Sequence, residues 1–358
     1  MTAVAASRGL GARLGAYVAL TKPRIVELLL ITTVPAMILA AGDWPGTALV
    51  IATVGGGALS AGGANALNNA VDRDIDAAMA RTRHRPVPTR QVPAGAAVVF
   101  GLALGAAGFA VLWVWATPQA ALLATGALAF YVVVYTLVLK RSTIHNIVIG
   151  GAAGALPAVV GWAAVTGDAG ALAAWVLFAV VFAWTPPHFW ALSLRFRDDY
   201  ARAGVPMLPV VAGEAITHSQ IVVYSVAVTA ATVLAGPVAG LGWVYLIAAS
   251  VLGAALVLRS LGLASGAVRP LAFFRFSNVY LALVFGAIAV DVLVEAPRPG
   301  ETIALAIAAG AAGVLVVAAV GIAAMLRPAP RNAVEWLWLT APVAGAGALA
   351  WASIVAVG

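Results

Sequence analysis

Long apolar runs alternate with short polar or turn-forming breaks along this chain, and the runs have the length of a bilayer crossing. Eleven can be read, at about 25–42, 46–69, 93–115, 119–139, 144–165, 171–194, 218–239, 242–262, 273–294, 301–325 and 333–357. A helix needs roughly 18 or more predominantly apolar residues to span the hydrocarbon, and a helix satisfies its own backbone polar groups there. The pattern predicts an all-α, polytopic membrane helical bundle. The leading 24 residues carry Arg8, Arg13, Lys22 and Arg24, and together with the first run they have the outline of a secretory leader. Lys22-Pro23-Arg24 abuts the first run and Glu27 lies in its first turn, which a disposable leader does not need.

The basic residues orient these runs. Nineteen of the 20 Lys and Arg residues fall in the N-terminal segment or at the breaks after even-numbered runs, and Arg298 is the exception. The positive-inside rule then predicts a multi-pass protein of the cell's inner (plasma) membrane, with the N-terminus cytoplasmic and the C-terminus outside. All four histidines (His84, His145, His188 and His218) fall at the cytoplasmic level, as do Glu27, Asp72, Asp74, Asp76, Asp198, Asp199, Glu214 and Glu335. Asp43, Asp168, Asp291, Glu295 and Glu301 fall at the other. No carboxylate sits near the middle of a run, which weighs against an ion-coupled transporter.

Composition agrees: 63% of residues are hydrophobic and 9% charged, where soluble domains carry about 25% charged residues. The absence of cysteine excludes disulfides, thiolate metal sites and cysteine nucleophiles. The net charge of +7 follows from basic loops at one membrane face and predicts no nucleic-acid partner.

The densest chemistry lies in 68–88. Asn68, Asp72 and Asp76 are spaced i, i+4, i+8, so a continuing helix projects all three oxygen-bearing side chains along one face. Arg81, Arg83 and Arg85 follow at once. Oxygen ligands for a hard divalent cation beside guanidinium groups suit a diphosphate, although such a charged run could equally be a solvated cap on a membrane helix. A second acidic stretch follows the sixth run. There Pro186-Pro187 removes two backbone donors and is expected to bend or break the helix, presenting His188 and, about three turns later, Asp198 and Asp199. The two acidic loops lie four runs apart, as in a duplicated four-helix unit with one metal-binding loop per half. Between them, Lys140-Arg141 and His145-Asn146 offer further contacts to a diphosphate.

Together these residues resemble the UbiA-type intramembrane prenyltransferases, and within them the haem-farnesylating branch. The superfamily's first motif resembles Asn68-x-x-x-Asp72-x-x-x-Asp76. The narrower pattern is matched by Thr21-Lys22-Pro23-Arg24, by Asp74-x-Asp76-x-x-Met79-x-Arg81-Thr82-x-x-Arg85-Pro86, and by Tyr135 with Lys140-Arg141. It continues through His145-Asn146, Gly150-Gly151, Pro157, Gly161-Trp162 and Pro186-Pro187-His188-Phe189-Trp190. Asp199-Tyr200-x-x-Ala203-Gly204-Val205-Pro206-Met207-Leu208-Pro209 and Phe274-Arg275-x-Ser277-Asn278-x-Tyr280-Leu281 complete it. One departure stands out: the superfamily's second motif is commonly Asp-x-x-x-Asp, whereas here it is Asp198-Asp199-Tyr200 with Arg195 before it.

The resemblance implies a nine-helix core over 25–297, preceded by the 1–24 segment and followed by a two-helix extension over 298–358 without assigned role. It implies transfer of farnesyl from farnesyl diphosphate to a vinyl group of haem b, giving haem O, with haem b a substrate and Mg2+ the cofactor. The partners are those two substrates, the lipid bilayer, and a downstream haem A synthase that would take the product. Asn68, Asp72 and Asp76 would hold a first Mg2+, and Asp198 and Asp199 a second. Arg81, Arg85, Lys140, Arg141 and His145 would contact diphosphate, and Lys22 and Arg24 either diphosphate or a haem propionate. His188 would orient haem, and Tyr131 and Tyr135 would face the developing cation. The alternatives are a quinone precursor or chlorophyll-like acceptor, a transporter or haem-handling protein, or a structural subunit of an oxidase assembly.

Overall fold

The computed structural model describes residues 10–325, all of whose regular elements are helical. The first half comprises α1 (Leu10–Thr21), α2 (Pro23–Ala41), α3 (Thr47–Val71), α4 (Arg73–Ala78), α5 (Ala94–Trp115) and α6 (Pro118–Ala129). The chain continues from α6 as a π-helix, Phe130–Leu139, into α7 (Lys140–Ser142). The second half comprises α8 (Asn146–Thr166), α9 (Leu172–Arg195), α10 (Arg197–Arg202), α11 (Leu208–Val211), α12 (Gly213–Val238), α13 (Trp243–Ala264), α14 (Pro270–Leu293) and α15 (Glu301–Met325). Ten of the eleven apolar runs therefore appear as helices. Among the described residues nine helical segments are long and apolar enough to cross a membrane, and α2 contributes the shorter apolar stretch Ile31–Ala41. The eleventh run and Glu335 lie outside the described residues.

The helices close into a ring. α3 packs on α5, α5 on α6, α6 on α8, α8 on α9, α9 on α12, α12 on α13, α13 on α14 and α14 on α2, which returns to α3. In a bilayer the lipid is as apolar as leucine, so close backbone approach at small residues has to supply much of the association. At the α3–α5 contact, a Cβ built on Gly63 would lie 2.6 Å from the Gly101 carbonyl oxygen. α15 packs along α12 and buries Ala308, Ala311, Leu315 and Ala318, so the tenth run adds to the ring from outside. At the ring end away from the basic loops, Asp291 caps α13 by accepting from the backbone N–H groups of Gly242 (2.6 Å) and Tyr245 (2.9 Å), a charge-assisted use of a helix N-terminus.

Two local features differ from expectation. α9 runs unbroken through Pro186 and Pro187. The carbonyls of Phe182 and Ala183 lose their helical donors, yet contacts across the site of the expected break hold the helix. The Trp184 indole donates to the Ser277 carbonyl at 2.8 Å, and the His188 ring bonds the Ser277 hydroxyl at 2.8 Å, tying α9 to α14 on both sides of the proline pair. The irregular element is instead the π-helix at Phe130–Leu139, where no proline or glycine occurs.

α1 lies across the ends of α3 and α5, burying Ala16 and Leu20, while Leu10, Leu14 and Val18 stand exposed at four-residue intervals. Its last carbonyls, beyond the reach of intrahelical donors, are taken by side chains of α3. Asn69 donates to Leu20 at 3.1 Å and Asn65 to Thr21 at 3.0 Å.

Replacing Gly63 by valine has no room to be absorbed, because backbone rather than a flexible side chain stands in the way. A cost of roughly 1–3 kcal/mol is expected for such overpacking, read as a lowered unfolding temperature and a smaller monodisperse fraction in detergent; an unchanged melt would contradict the α3–α5 approach.

Candidate functional site

α3 passes into α4 with only a slight irregularity at Asp72, and the i→i−4 bonds persist: Asp72 N–H donates to the Asn68 carbonyl at 2.9 Å, and Asp76 N–H to the Asp72 carbonyl at 2.7 Å. Asn68, Asp72 and Asp76 therefore share one face, as their spacing predicts, and all three are buried, at 2%, 0% and 2% exposure. Buried carboxylates require charged or hydrogen-bonding partners. Asp72 pairs with Lys140 and accepts from the Asn68 amide at 2.7 Å, with Arg141 3.6 Å from its other oxygen. Both oxygens of Asp76 accept from Arg85 at 2.9 Å. Lys22 donates to the Asn68 amide oxygen at 2.7 Å.

Lys22 occupies the left-handed region (φ 52°), which costs a non-glycine residue on the order of 1–2 kcal/mol. That turn between α1 and α2 aims the ammonium group into the cluster. Burial, then the neighbouring Arg85 and Lys140, lowers its pKa to about 7. Asp74 points the other way: exposed, it receives two hydrogen bonds from Arg141 at 2.7 and 2.8 Å, which hold its carboxyl well below the usual carboxylate range.

Part of the cluster forms the polar mouth of a chamber of about 440 Å3 inside the ring, with Asp72 enclosed behind it. Lys22, Asn68, Asp76, Arg81, Arg85 and Lys140 line this mouth. Apolar and small residues continue inward from α2, α3, α6 and α8, among them Val26, Ala61, Leu128 and Val160. Tyr131 and Tyr135 project from the π-helix into the chamber, their rings stacked with centroids 5.4 Å apart. Gly150 gives the Tyr135 ring its place, since a Cβ there would collide with that ring.

His188 also lines the chamber, sandwiched between Trp184 (centroids 4.1 Å apart) and Phe274 (4.4 Å). Its tautomer follows from its partner. The Ser277 hydroxyl donates to the Phe274 carbonyl at 2.8 Å, so it can only accept from the histidine, whose Nδ1 must carry the proton. The Nε2 lone pair is thereby left for a ligand. On the same wall Asn278 holds a buried amide oxygen without a hydrogen-bond partner. Neither Ser277 nor Asn278 received a role from the sequence, although both sit in the matched stretch on α14.

The second acidic loop meets the first. Ile75 and Met79 pack with Tyr200, Val205 and Met207 in one cluster. Asp199 accepts long hydrogen bonds from the backbone N–H groups of Ala80 (3.4 Å) and Arg81 (3.3 Å), and pairs with Arg202. It thus holds the loop that carries Arg81 and Arg85. Asp198 is exposed and belongs to no wall of the chamber. Expected as a joint pair of metal ligands, the two aspartates are separated by their helix: adjacent residues point about 100° apart, so one faces the loop and the other leaves it. Arg141 and His145 likewise stand outside the chamber lining, Arg141 with Asp74 and His145 at the start of α8. Arg24 is the second residue of α2, but its side chain lies outside the described set.

The first cluster fits a hard divalent cation. Its ligands would all be oxygen, and Asp72 keeps one buried carboxylate oxygen without a hydrogen bond. Among the described residues no group of three or more His, Cys, Asp or Glu could form an all-protein cage. Two carboxylates and an amide would instead be a partial set of oxygen ligands of the kind that suits Mg2+.

The chain's likeness to known proteins points the same way. Residues 29–281 match the UbiA prenyltransferase family. A protein named protoheme IX farnesyltransferase 1, from Saccharopolyspora erythraea, is 54% identical over 289 residues, covering 79% of this chain and 92% of that one. Among solved structures, a digeranylgeranylglyceryl phosphate synthase superposes with a TM-score of 0.64 at 16% identity, over 79% of this chain and 99% of that one. A UbiA homologue from Archaeoglobus fulgidus bound to DMAPP and Mg2+ gives 0.54 at 15% identity, over 76% and 99%. The two structures share the fold.

Removing the guanidinium partner of Asp76 strands a buried charge. Arg85→Ala should destabilise the protein by about 3 kcal/mol, and adding Asp76→Asn to it should recover much of that loss. Thermal unfolding of the two single variants and the double variant measures the coupling, and strictly additive effects would contradict the pair.

Proposed function

The chain belongs to the UbiA prenyltransferase family, and on that premise we propose that it moves farnesyl from farnesyl diphosphate to a vinyl group of haem b, giving the hydroxyethylfarnesyl side chain of haem O. One observation carries the reading: oxygen ligands and cations converge at the mouth of an otherwise apolar, tyrosine-lined chamber, in a chain that is 54% identical over 289 residues to a protein named for this reaction. A charged head and an isoprenoid tail need those two environments in series.

In this reading the allylic C–O bond of farnesyl diphosphate breaks and its electron pair leaves with the diphosphate. The vinyl terminus bonds the farnesyl carbon, and water adds to the resulting carbon cation beside the porphyrin, losing a proton. Arg81, Arg85, Lys140 and Lys22 would hold diphosphate oxygens as charge develops on them, where a water-poor site makes fixed cations count for more. Mg2+ bound by Asn68, Asp72 and Asp76 would supply further charge to the same leaving group. Tyr131 and Tyr135 would present ring faces to the allylic cation. His188, neutral and with Nε2 free, would meet the haem, either at iron or beside the vinyl group.

Asp199 then acts by holding the arginine loop, and Asp198 carries no role. The basic residues gathered at the mouth support a cytoplasmic orientation for this end in the cell's inner membrane. The catalytic core is assigned to 25–297, with 1–24 before it and 298–358 an extension that α15 begins on the outside of α12. The product is a substrate for a haem A synthase.

Mass spectrometry of haems extracted from cells with and without the chain tests the activity; haem O should appear only with it. Asp72→Asn and Asp76→Asn should abolish that product without loss of folded protein. A variant with near-normal haem O would remove its residue from the site.

Purified variants separate the remaining roles. Asp198→Ala should stay within about twofold of the parent, while Asp199→Ala should weaken farnesyl diphosphate about tenfold, the worth of one or two hydrogen bonds on the arginine loop. His188→Ala should raise the KM for haem and leave that for farnesyl diphosphate unchanged; the reverse pattern would exclude it from haem handling.

A further inference from the structure

Asn68 is the one amide among the proposed metal ligands, and an amide has a wrong way round. Turned one way it offers a carbonyl oxygen to a cation; turned the other, it offers N–H groups. We propose that Thr136, in the π-helix, is the positioning residue that sets this orientation. The inference rests on the reading of Asn68 as an oxygen ligand.

The argument is one of donors and acceptors. Thr136 is fully buried. Its hydroxyl oxygen lies 2.8 Å from the Tyr131 carbonyl, which has no proton to give, so the hydroxyl donates there. Only its lone pairs remain for Asn68, 3.1 Å away, and Asn68 must therefore direct its NH2 group to Thr136. Asp72, acceptor only, receives that group's second proton at 2.7 Å. The amide oxygen is left facing Lys22, which donates to it at 2.7 Å.

The three neighbours differ in what happens to them when a substrate binds. In the proposed complex the Asp72 oxygens are drawn to a cation and Lys22 to phosphate. The Thr136 hydroxyl has nothing else to do, because its proton is spent on the backbone. It is the one partner that holds the amide the same way in the free and the loaded protein.

The π-helix makes this possible. In an α-helix the carbonyl of residue 131 would face residue 135, whereas π geometry brings position 136 beneath it. The same winding displays Tyr131 and Tyr135 on the chamber wall. One hydroxyl thus links the tyrosine wall to the first acidic cluster, across 68 residues of sequence.

The test uses the full chain in detergent, with Thr136→Val, which keeps the shape and removes the hydroxyl, and Thr136→Ser, which keeps the hydroxyl. Farnesyl diphosphate binding is measured calorimetrically as a function of Mg2+ and again in EDTA. Thr136→Val should raise the Mg2+ concentration for half-maximal binding about tenfold, the size of one hydrogen bond. Its affinity in EDTA should match the parent's, and Thr136→Ser should restore the Mg2+ response. Should the valine variant not fold, Thr136→Ala carries the same comparison. An unchanged Mg2+ response, an equal loss in EDTA, or a folded serine variant that fails to restore the response would overturn the proposal. A parent protein whose binding ignores Mg2+ would instead overturn the reading of Asn68, Asp72 and Asp76 as ligands.

Discussion

Two carboxylates, Asp72 and Asp76, lie out of water at the end of α3, and most of the site follows from what that requires. Leaving either unpaired there would cost several kcal/mol. Cations therefore have to arrive from elsewhere in the chain: Arg85 from the loop just beyond, Lys140 from the end of the π-helix, Lys22 from the turn before α2. The strained backbone at Lys22 and the burial that lowers its pKa are tolerated because the ammonium completes this group. The outcome is a mouth whose positive groups are already held in place when an anion enters, so less ordering has to be done on binding.

The bundle and the first half of this mouth were legible because both are local. Membrane runs announce themselves by length, and the i, i+4, i+8 spacing of Asn68, Asp72 and Asp76 becomes a common face once the helix continues. Lys140 and Arg85 were readable as cations near the right level, although nothing in the sequence pairs Lys140 with Asp72. The second acidic loop was less readable. Neighbours on a helix diverge, and only packing tells which of Asp198 and Asp199 turns toward the loop at Ala80 and Arg81. The proline pair misled for a similar reason, because support for α9 comes from Ser277, some 90 residues further along. The π-helix left no trace at all: a run such as Phe130-Tyr131-Val132-Val133-Val134-Tyr135 reads the same in either winding.

A recurring device in this chamber is the one-way hydrogen bond. A serine or threonine whose proton is committed to a backbone carbonyl becomes a pure acceptor, and it then dictates the state of whatever it touches. Ser277 does this for His188, fixing the tautomer that frees Nε2. Thr136 does it for Asn68. Both hydroxyls stand behind the residue they govern, and each asks for a partner far away in sequence, which is why composition and spacing gave no hint of either.

The aliphatic stripe of α1 has a bearing on how a ligand reaches the mouth. Leu10, Leu14 and Val18 face outward from a helix laid across the ends of two crossing helices, so the surface beside the cation cluster is itself greasy. An amphiphile with a fatty tail is already dissolved in the leaflet at that depth. Were such a molecule to approach Lys22 and Arg85 along the lipid and not from water, its search would run in two dimensions in place of three.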